Sequence, residues 1–476
     1  MGLVIPVDPV PVSELGSVHF IAIGGAGMSG IARIMLARGI SVSGSDSAAS
    51  PLLDELAAAG ARVSVGHDAG NLQDAETVVV SSAIRPENPE LAEAHRRGLR
   101  VLHRAAALAS IMLGHQGIAV AGTHGKTTTT SMITTVLLHS GASPSYVIGG
   151  ILAETGLGAA EGSGPAVVVE ADESDGSFLM LAPDAAVVTS VEADHLDNYG
   201  TLAAIEQAFT AFAGRITDGG LLVTCADDAG ARALTAAVRP TVTAVTYGTA
   251  SDASYRIADI RARAMRTAFS LTGGPGTILA GAGPVELEIA VPGRHNALNA
   301  AAAFALTVQL GVSVADAVAG LESYRGAQRR MELKGEADGV LVIDSYAHHP
   351  TELAADLSAA RDVAAGGRVI AIFQPHLFSR TRIFAAEFAA ALSHADEVLV
   401  LDVYAAREDP EPGVTGKLIS DAVPGGAMFV PDRTTVPGVI AGLAKPGDLV
   451  LTMGAGDVTA LGPQIVAALR DRAAPS

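Results

Sequence analysis

The chain has 476 residues, 49% hydrophobic and 17% charged, with a formal net charge of −19 and a single cysteine. The length asks for roughly two to four domains with well-packed cores, and the acidic balance argues against general binding to nucleic acid or an anionic membrane, both polyanions, while leaving room for a small anionic ligand. Cys225 alone excludes an intrachain disulfide framework, and with no visible leader and no apolar run of spanning length a soluble, cytoplasmic protein without membrane insertion is expected.

Short Val, Ile and Leu runs alternate with Ala-rich helical stretches, the rhythm of parallel sheets covered by helices, and the rhythm starts afresh three times. The first stretch has expected strands at 18–23, 40–42, 62–65 and 77–80. Its opening strand runs into Gly24-Gly-Ala-Gly-Met-Ser-Gly30, where Gly25, Gly27 and Gly30, with Ala26, Met28 and Ser29 between them, have the Gly-x-Gly-x-x-Gly spacing at a helix start. Asp46, 21 residues after Gly25, stands at the expected end of the second strand, where a carboxylate can take a ribose hydroxyl. Read alone this says NAD, but the geometry serves any diphosphate-linked nucleotide. Ser82, in the loop Ser81-Ser-Ala-Ile84 after the fourth strand, could line the same crevice. His67 and His103 read as satisfied histidines nearby.

The second stretch opens with the apolar strand at 118–121, which breaks into Gly122-Thr123-His124-Gly125-Lys126-Thr127-Thr128 and then helix. That is the layout of a phosphate-binding loop: the glycines let backbone N–H groups converge on an anion, Lys126 reaches terminal phosphates and Thr127 can hold Mg²⁺. The glycine spacing is two residues shorter than the usual motif. With only four lysines against 27 arginines, a composition that prefers Arg has kept Lys here. Strands expected at 166–169 and 185–189 end in Glu170-Ala-Asp-Glu-Ser-Asp175 and Glu192-Ala-Asp-His-Leu-Asp197, carboxylates suited to Mg²⁺ at the ligand edge rather than on a solvated face. His195 is an unusual Mg²⁺ ligand, so a second ion or an orienting role stays open. Residues 250–290 read as an antiparallel insertion and 296–310 as a closing helix.

In the third stretch, strands expected at 340–343, 368–373, 397–401 and 448–453 each end in a polar cluster: Asp344 to Glu352, Gln374 to Arg382, Asp402 to Pro410, and Gly454 to Asp457. In a parallel sheet these ends share one edge, and their His, Arg and Tyr content suits carboxylate and developing negative charge. His348 and His349 could equally cap the helix that begins at Pro350.

Together these segments resemble the Mur ligase family, and most closely its alanine-adding branch, over nearly the whole chain. Gly293-Arg-His-Asn-Ala-Leu-Asn299, Arg329-Arg-Met-Glu332, Tyr346-Ala-His-His-Pro350, Gln374-Pro-His376 and Asp402-Val-Tyr404 carry the resemblance alongside the two glycine loops and the acidic runs. It implies an α/β fold of three domains: a Rossmann-like domain (1–113) for a UDP-sugar, a central P-loop ATPase-like domain with a mainly parallel sheet (114–325) for ATP, and a Rossmann-like α/β domain (326–476) completing the ATP and amino-acid site. The implied reaction, in cytoplasmic peptidoglycan precursor synthesis, is ATP-dependent amide formation between UDP-N-acetylmuramate and L-alanine through an acyl phosphate. The expected cofactors are ATP and Mg²⁺, or Mn²⁺ in its place, and the expected assembly is a monomer or weak homodimer.

The resemblance assigns Lys126 to the transferring phosphoryl group, Thr127, Glu170 and His195 to metal, His295, Asn296 and Asn299 to adenine, Arg330 to phosphate and Asp344 to ribose. Tyr346, His348, His376 and Arg380 would approach alanine and the acyl centre, with His348 a candidate proton acceptor. Two departures stand out. The loop reads Asp344-Ser345-Tyr346, where two carboxylates are common, and no lysine between Lys126 and Lys334 can play the carbamylated role several family members use. The alternatives are a recycling ligase that joins a preformed peptide to the same sugar and an NAD-dependent oxidoreductase.

Overall fold

The fold is taken from a computed structural model that describes residues 3–406 and 408–473. By internal packing the chain divides into two compact units, one of Met1–Ala258, Leu271–Val285 and Leu298–Tyr324, the other of Asp259–Ser270, Glu286–Ala297 and Arg325–Ser476. No described helix is long and apolar enough to cross a membrane.

The first unit carries two sheets. One is a five-stranded sheet of β1 (Val18–Ile21), β2 (Val42–Asp46), β3 (Arg62–Val65), β4 (Thr77–Val80) and β5 (Arg100–His103), in the order β3-β2-β1-β4-β5 and parallel throughout. The order reverses between β1 and β4, which opens a crevice at their carboxyl ends, where the Gly24–Gly30 and Ser81–Ile84 loops lie. The sequence reading missed β5 and began β2 two residues early; β5 has one buried residue among half-exposed neighbours, so its apolar signal is weak. A buried polar network crosses this sheet. Glu90, fully buried, accepts from Ser45 Oγ (2.6 Å) and Asn71 Nδ2 (2.6 Å) and lies 3.4 Å from His19 Nε2. Burial would raise the Glu90 pKa, but these partners hold it down at about 2.

The second sheet has ten strands: β6 (Gln116–Ala121), β7 (Ser145–Val147), β8 (Ala159–Ala160), β9 (Ala166–Glu170), β10 (Ala185–Val188), β11 (Leu221–Cys225), β12 (Thr243–Gly248), β13 (Tyr255–Arg263), β14 (Arg266–Gly273) and β15 (Val285–Ile289). Their order is β15-β14-β13-β12-β11-β10-β6-β9-β7-β8, so the strand feeding the phosphate loop lies between the two strands that feed the acidic runs. β6, β9 and β10 are apolar and buried almost end to end, as a parallel strand covered on both faces must be. Two residues join β13 to β14, a connection only an antiparallel pair permits. The division between the units passes through β13, β14 and β15, so the far end of this sheet belongs in part to the second unit. Cys225 is 5% exposed at the end of β11, and burial pushes its thiol up to about 11, so it is an inert core thiol.

The second unit holds β16 (Glu332–Ala337), β17 (Val340–Ser345), β18 (Val369–Phe373), β19 (Glu397–Leu401), β20 (Met428–Val430) and β21 (Leu449–Met453), in the order β16-β17-β21-β18-β19-β20. β17, β21, β18 and β19 are parallel neighbours, so their four polar ends share one edge, as expected. β16 is antiparallel to β17 with an irregularity between Leu333 and Gly335, which breaks the alternation by which an edge strand is recognised. Apolar residues sandwich this sheet, with Phe373, Phe388 and Leu357 on one face and Ile372, Ile440 and Leu461 on the other.

Candidate active site

The phosphate loop follows β6 with the backbone the glycines were expected to supply. Gly122 has φ +132°, and a Cβ there would overlap the Thr189 hydroxyl and lie 2.9 Å from Thr189 N. Gly125, at φ +78°, stands immediately before the helix Lys126–His139, and a Cβ on it would press on Asn299. The strand end after β10 braces the loop: Thr123 N donates to Ser190 O (2.9 Å), His124 N to Ser190 Oγ (3.2 Å), and Thr123 Oγ1 accepts from Glu192 N (2.8 Å). Thr123, Thr127 and Thr128 are buried and His124 is half-buried. Lys126 curls back over the loop, donating from Nζ to Gly122 O (2.6 Å), Thr123 O (3.2 Å) and Glu173 Oε1 (2.8 Å). Burial works against its charge, but Glu173, Glu170 and Asp172 outweigh it and raise its pKa.

The acidic run after β9 divides its labour by direction. Glu173, 3% exposed, faces Lys126 and lies 3.9 Å from His195 Nε2. Its Oε2 is a buried oxygen without a partner among the described residues, and burial pushes the carboxyl up to about 7, with Lys126 pulling the other way. His195 sits at φ +52°, a conformation unusual for a side-chain-bearing residue and of the kind stored at functional sites. Glu170, the carboxylate singled out from the sequence, instead accepts from Gly149 N (3.0 Å). The carboxylate that Lys126 pairs with is therefore Glu173, which the sequence reading saw within the run but did not single out. Tyr199 Oη donates to Glu173 O (2.6 Å) and Asn198 Nδ2 to Ser174 O (2.8 Å), fixing the run's backbone.

The flanking carboxylates turn the other way. Asp172 pairs with Arg104, while Asp175 accepts from Ser82 Oγ (2.5 Å) and lies 3.6 Å from His103 Nε2. In the crevice itself, Gly25 is exposed ahead of the helix Ala26–Ala37, and Asp46 closes on the loop by accepting from Gly24 N (2.9 Å). At three residues of this loop the side-chain positions turn inward. Met28 (3% exposed) and Ser29 (7%) are buried, and a Cβ at Gly30 would meet Ala159 and Val147 of β8 and β7. Helical periodicity is the reason, since only the first positions after the strand stay at the edge. The side chain of Ala26 lies outside the described residues.

The second unit presents an aromatic row along the shared strand ends. The Tyr346 and His348 ring centroids are 5.3 Å apart, His348 and His376 are 6.0 Å apart, and Tyr404 stacks on His376 at 5.8 Å. The guanidinium carbons of Arg329 and Arg330 lie 4.8 and 5.1 Å from the Tyr346 ring centroid. His348 Nδ1 is 3.0 Å from Tyr346 O; a carbonyl can only accept, so this nitrogen carries the proton and Nε2 is the basic one in the neutral ring. His349 is the helix cap: its ring accepts from Thr351 N, and Glu352 completes a capping box. Arg380 is 6% exposed on the short helix Phe378–Ile383.

Asp344 is fully buried, accepting from Thr452 Oγ1 (2.7 Å) and Thr459 Oγ1 (2.7 Å), with Arg329 Nε at 3.4 Å, so it anchors Arg329. The three residues expected to frame one base stand close together on one helix, Arg294–Gln309. His295 lies 3.6 Å from Asp356, Asn296 donates to Pro292 O (2.7 Å), and Asn299, in the first unit, accepts from Thr129 Oγ1 (3.3 Å) behind the phosphate loop. Asp356 also explains Ser345, whose hydroxyl donates to it; a second carboxylate at that position would face like charge.

Residues 17–116 match the family description "Mur ligase family, catalytic domain", residues 120–307 "Mur ligase middle domain" and residues 329–456 "Mur ligase, glutamate ligase domain". The chain is 57% identical to UDP-N-acetylmuramate–L-alanine ligase of Thermobifida fusca (strain YX), over 98% of this chain and all of that one, and 54% identical to the protein of the same name from Kineococcus radiotolerans, over 97% and 98%. Among solved structures it resembles UDP-N-acetylmuramate-alanine ligase of Thermotoga maritima, at TM-score 0.80 and 31% identity over 96% of this chain and 99% of that one. It also resembles a murein peptide ligase of Psychrobacter arcticus, at TM-score 0.70 and 25% identity over the same shares. With all three family regions present in order, the chain belongs to the Mur ligase family.

Proposed function

We propose that the chain joins L-alanine to the carboxylate of UDP-N-acetylmuramate at the expense of ATP, in cytoplasmic synthesis of peptidoglycan precursors. One observation carries this reading: a half-buried, charged Lys126 held at the mouth of a phosphate loop, in a chain alike from end to end to relatives that bear this activity in their names. Residues 1–113 are assigned to the UDP-sugar, 114–325 to ATP and 326–476 to the amino acid.

In the first step the muramate carboxylate attacks the γ-phosphorus, ADP leaves and an acyl phosphate forms. Lys126 meets the negative charge of the moving phosphoryl group, and the backbone N–H groups of Gly125 to Thr128 at the helix start orient it, so positioning and charge neutralisation supply most of the acceleration. In the second step the amine of L-alanine adds to the acyl carbon and phosphate leaves. His348 Nε2 takes the proton the amine gives up, while His376 and Arg380 are assigned to the developing oxyanion, Tyr346 to the amino acid and Arg330 to phosphate. A divalent cation, Mg²⁺ or Mn²⁺, suits the donor set of Thr127, Glu170 and His195 together with Glu173, whose buried Oε2, without a partner among the described residues, is an oxygen a cation would satisfy. Bound there, it would neutralise phosphate charge.

An assay of ADP release tests the reading: turnover must require both UDP-N-acetylmuramate and L-alanine, and turnover indifferent to either one overturns it. A preformed peptide outcompeting L-alanine would replace it with the recycling reaction. The oxidoreductase alternative leaves Lys126 and the acidic run without a task. Sedimentation at several concentrations checks the expected monomer or weak homodimer.

A further inference from the structure

The glycine loop after β1 contains no cation of its own, yet a diphosphate bound there carries negative charges that a helix N-terminus answers only in part. A cation is nonetheless in place. Arg104, the first residue of the helix Arg104–Met112 after β5, lays its guanidinium against the loop, so that a Cβ added to Gly27 would sit 3.3 Å from Arg104 Nη1. Its Nη2 is engaged by Asp172 of the acidic run, and the side chain is 21% exposed. A guanidinium presents five N–H donors in a rigid fork, so Nη2 can stay on the carboxylate while Nη1, the nitrogen nearest the loop, donates to an anion. His103 and Ser82, engaged by Asp175, fix the neighbouring strand ends from the same acidic run.

We propose that Arg104 binds the diphosphate of the nucleotide-sugar, and that Asp172 is its positioning residue, aiming the guanidinium along the glycine loop. The proposal rests on the UDP-sugar reading of the first sheet. A Cβ at Gly27 would press on the guanidinium, which accounts for glycine there, and the proposal gives Asp172 a role in the UDP-sugar site although it belongs to the sheet of the phosphate loop.

Titration calorimetry on the full chain in EDTA, with UDP and uridine as ligands, tests it away from turnover and away from metal. Arg104→Ala should weaken UDP about 10- to 100-fold and leave uridine and ATP binding unchanged. Arg104→Lys should recover part of the loss, because an ammonium keeps the charge and loses the fork, and Asp172→Asn should weaken UDP about threefold. In steady state, Arg104→Ala should raise the KM for the UDP-sugar more than it lowers kcat. Arg104→Ala that binds ATP and UDP as the natural chain does overturns the proposal, as does an equal loss for uridine and UDP, which marks a structural role. A natural chain that binds neither UDP nor uridine overturns the UDP-sugar reading itself.

Discussion

The chain has two glycine loops in the same topological place, each after a buried parallel strand and before a helix, and they are built differently. The loop after β6 contains its cation: Lys126 follows Gly125 directly and folds back onto Gly122 O. The loop after β1 has none and relies on a guanidinium from a helix that begins 77 positions after Gly27. The phosphate loop is also tightly enclosed, with positive φ at both glycines, whereas Gly25 has an ordinary φ of −65° and is exposed. A loop that handles a moving phosphoryl group keeps charge and backbone rigid together; a loop that holds a diphosphate through the reaction can borrow its charge.

Breaking the self-contained loop should have the largest effect. Lys126→Ala is expected to lower kcat for ADP release by about 10³-fold or more, because a donor aimed at developing charge is removed from a buried site. Next comes the support beneath the borrowed-charge loop. Glu90→Ala leaves the partners of a buried carboxylate unsatisfied and should cost about 3 kcal/mol in urea unfolding. Its pH dependence has a definite sign. The folded pKa of about 2 lies below the ordinary 4.5, so the ionised form's contribution is full above pH 4.5 and is lost as pH falls towards 2. The stability gap between the natural chain and Glu90→Gln should shrink over that window.

The glycines sharpen the comparison further. Gly122→Ala must relieve the overlap with Thr189 from a φ that side chains avoid, and should destabilise by about 2 kcal/mol. Gly25→Ala meets nothing closer than Ala22 O at 3.4 Å and should change stability by less than about 0.5 kcal/mol by the same measurement. Equal costs at the two positions would remove the distinction between the loops.

What could be read from the sequence follows the same physics. Buried parallel strands announce themselves as apolar runs, so β4, β9 and β19 were placed to within a residue, while β5, β16 and β20, partly exposed, were not. Backbone motifs were legible because glycine spacing is a local property. Direction was not: the acidic run showed four carboxylates within six residues, but only the fold decides that Glu173 faces Lys126 and that Asp172 and Asp175 face away. Burial likewise decided that Asp344 anchors Arg329 and that Met28, Ser29 and Gly30 pack inward. Arg104 stood in no motif, and its place became visible only once β5 was seen to end beside the glycine loop.

Consecutive residues Asp172 and Glu173 hold the cations of the two loops. The segment from Glu170 to Asp175 therefore acts as a ruler whose graduation is one peptide unit. Side-chain chemistry along it can be exchanged one position at a time, but its length cannot: a single inserted or deleted residue would turn each carboxylate towards the other's partner. Natural variation in this segment should accordingly be by substitution, with insertions confined to the stretches on either side.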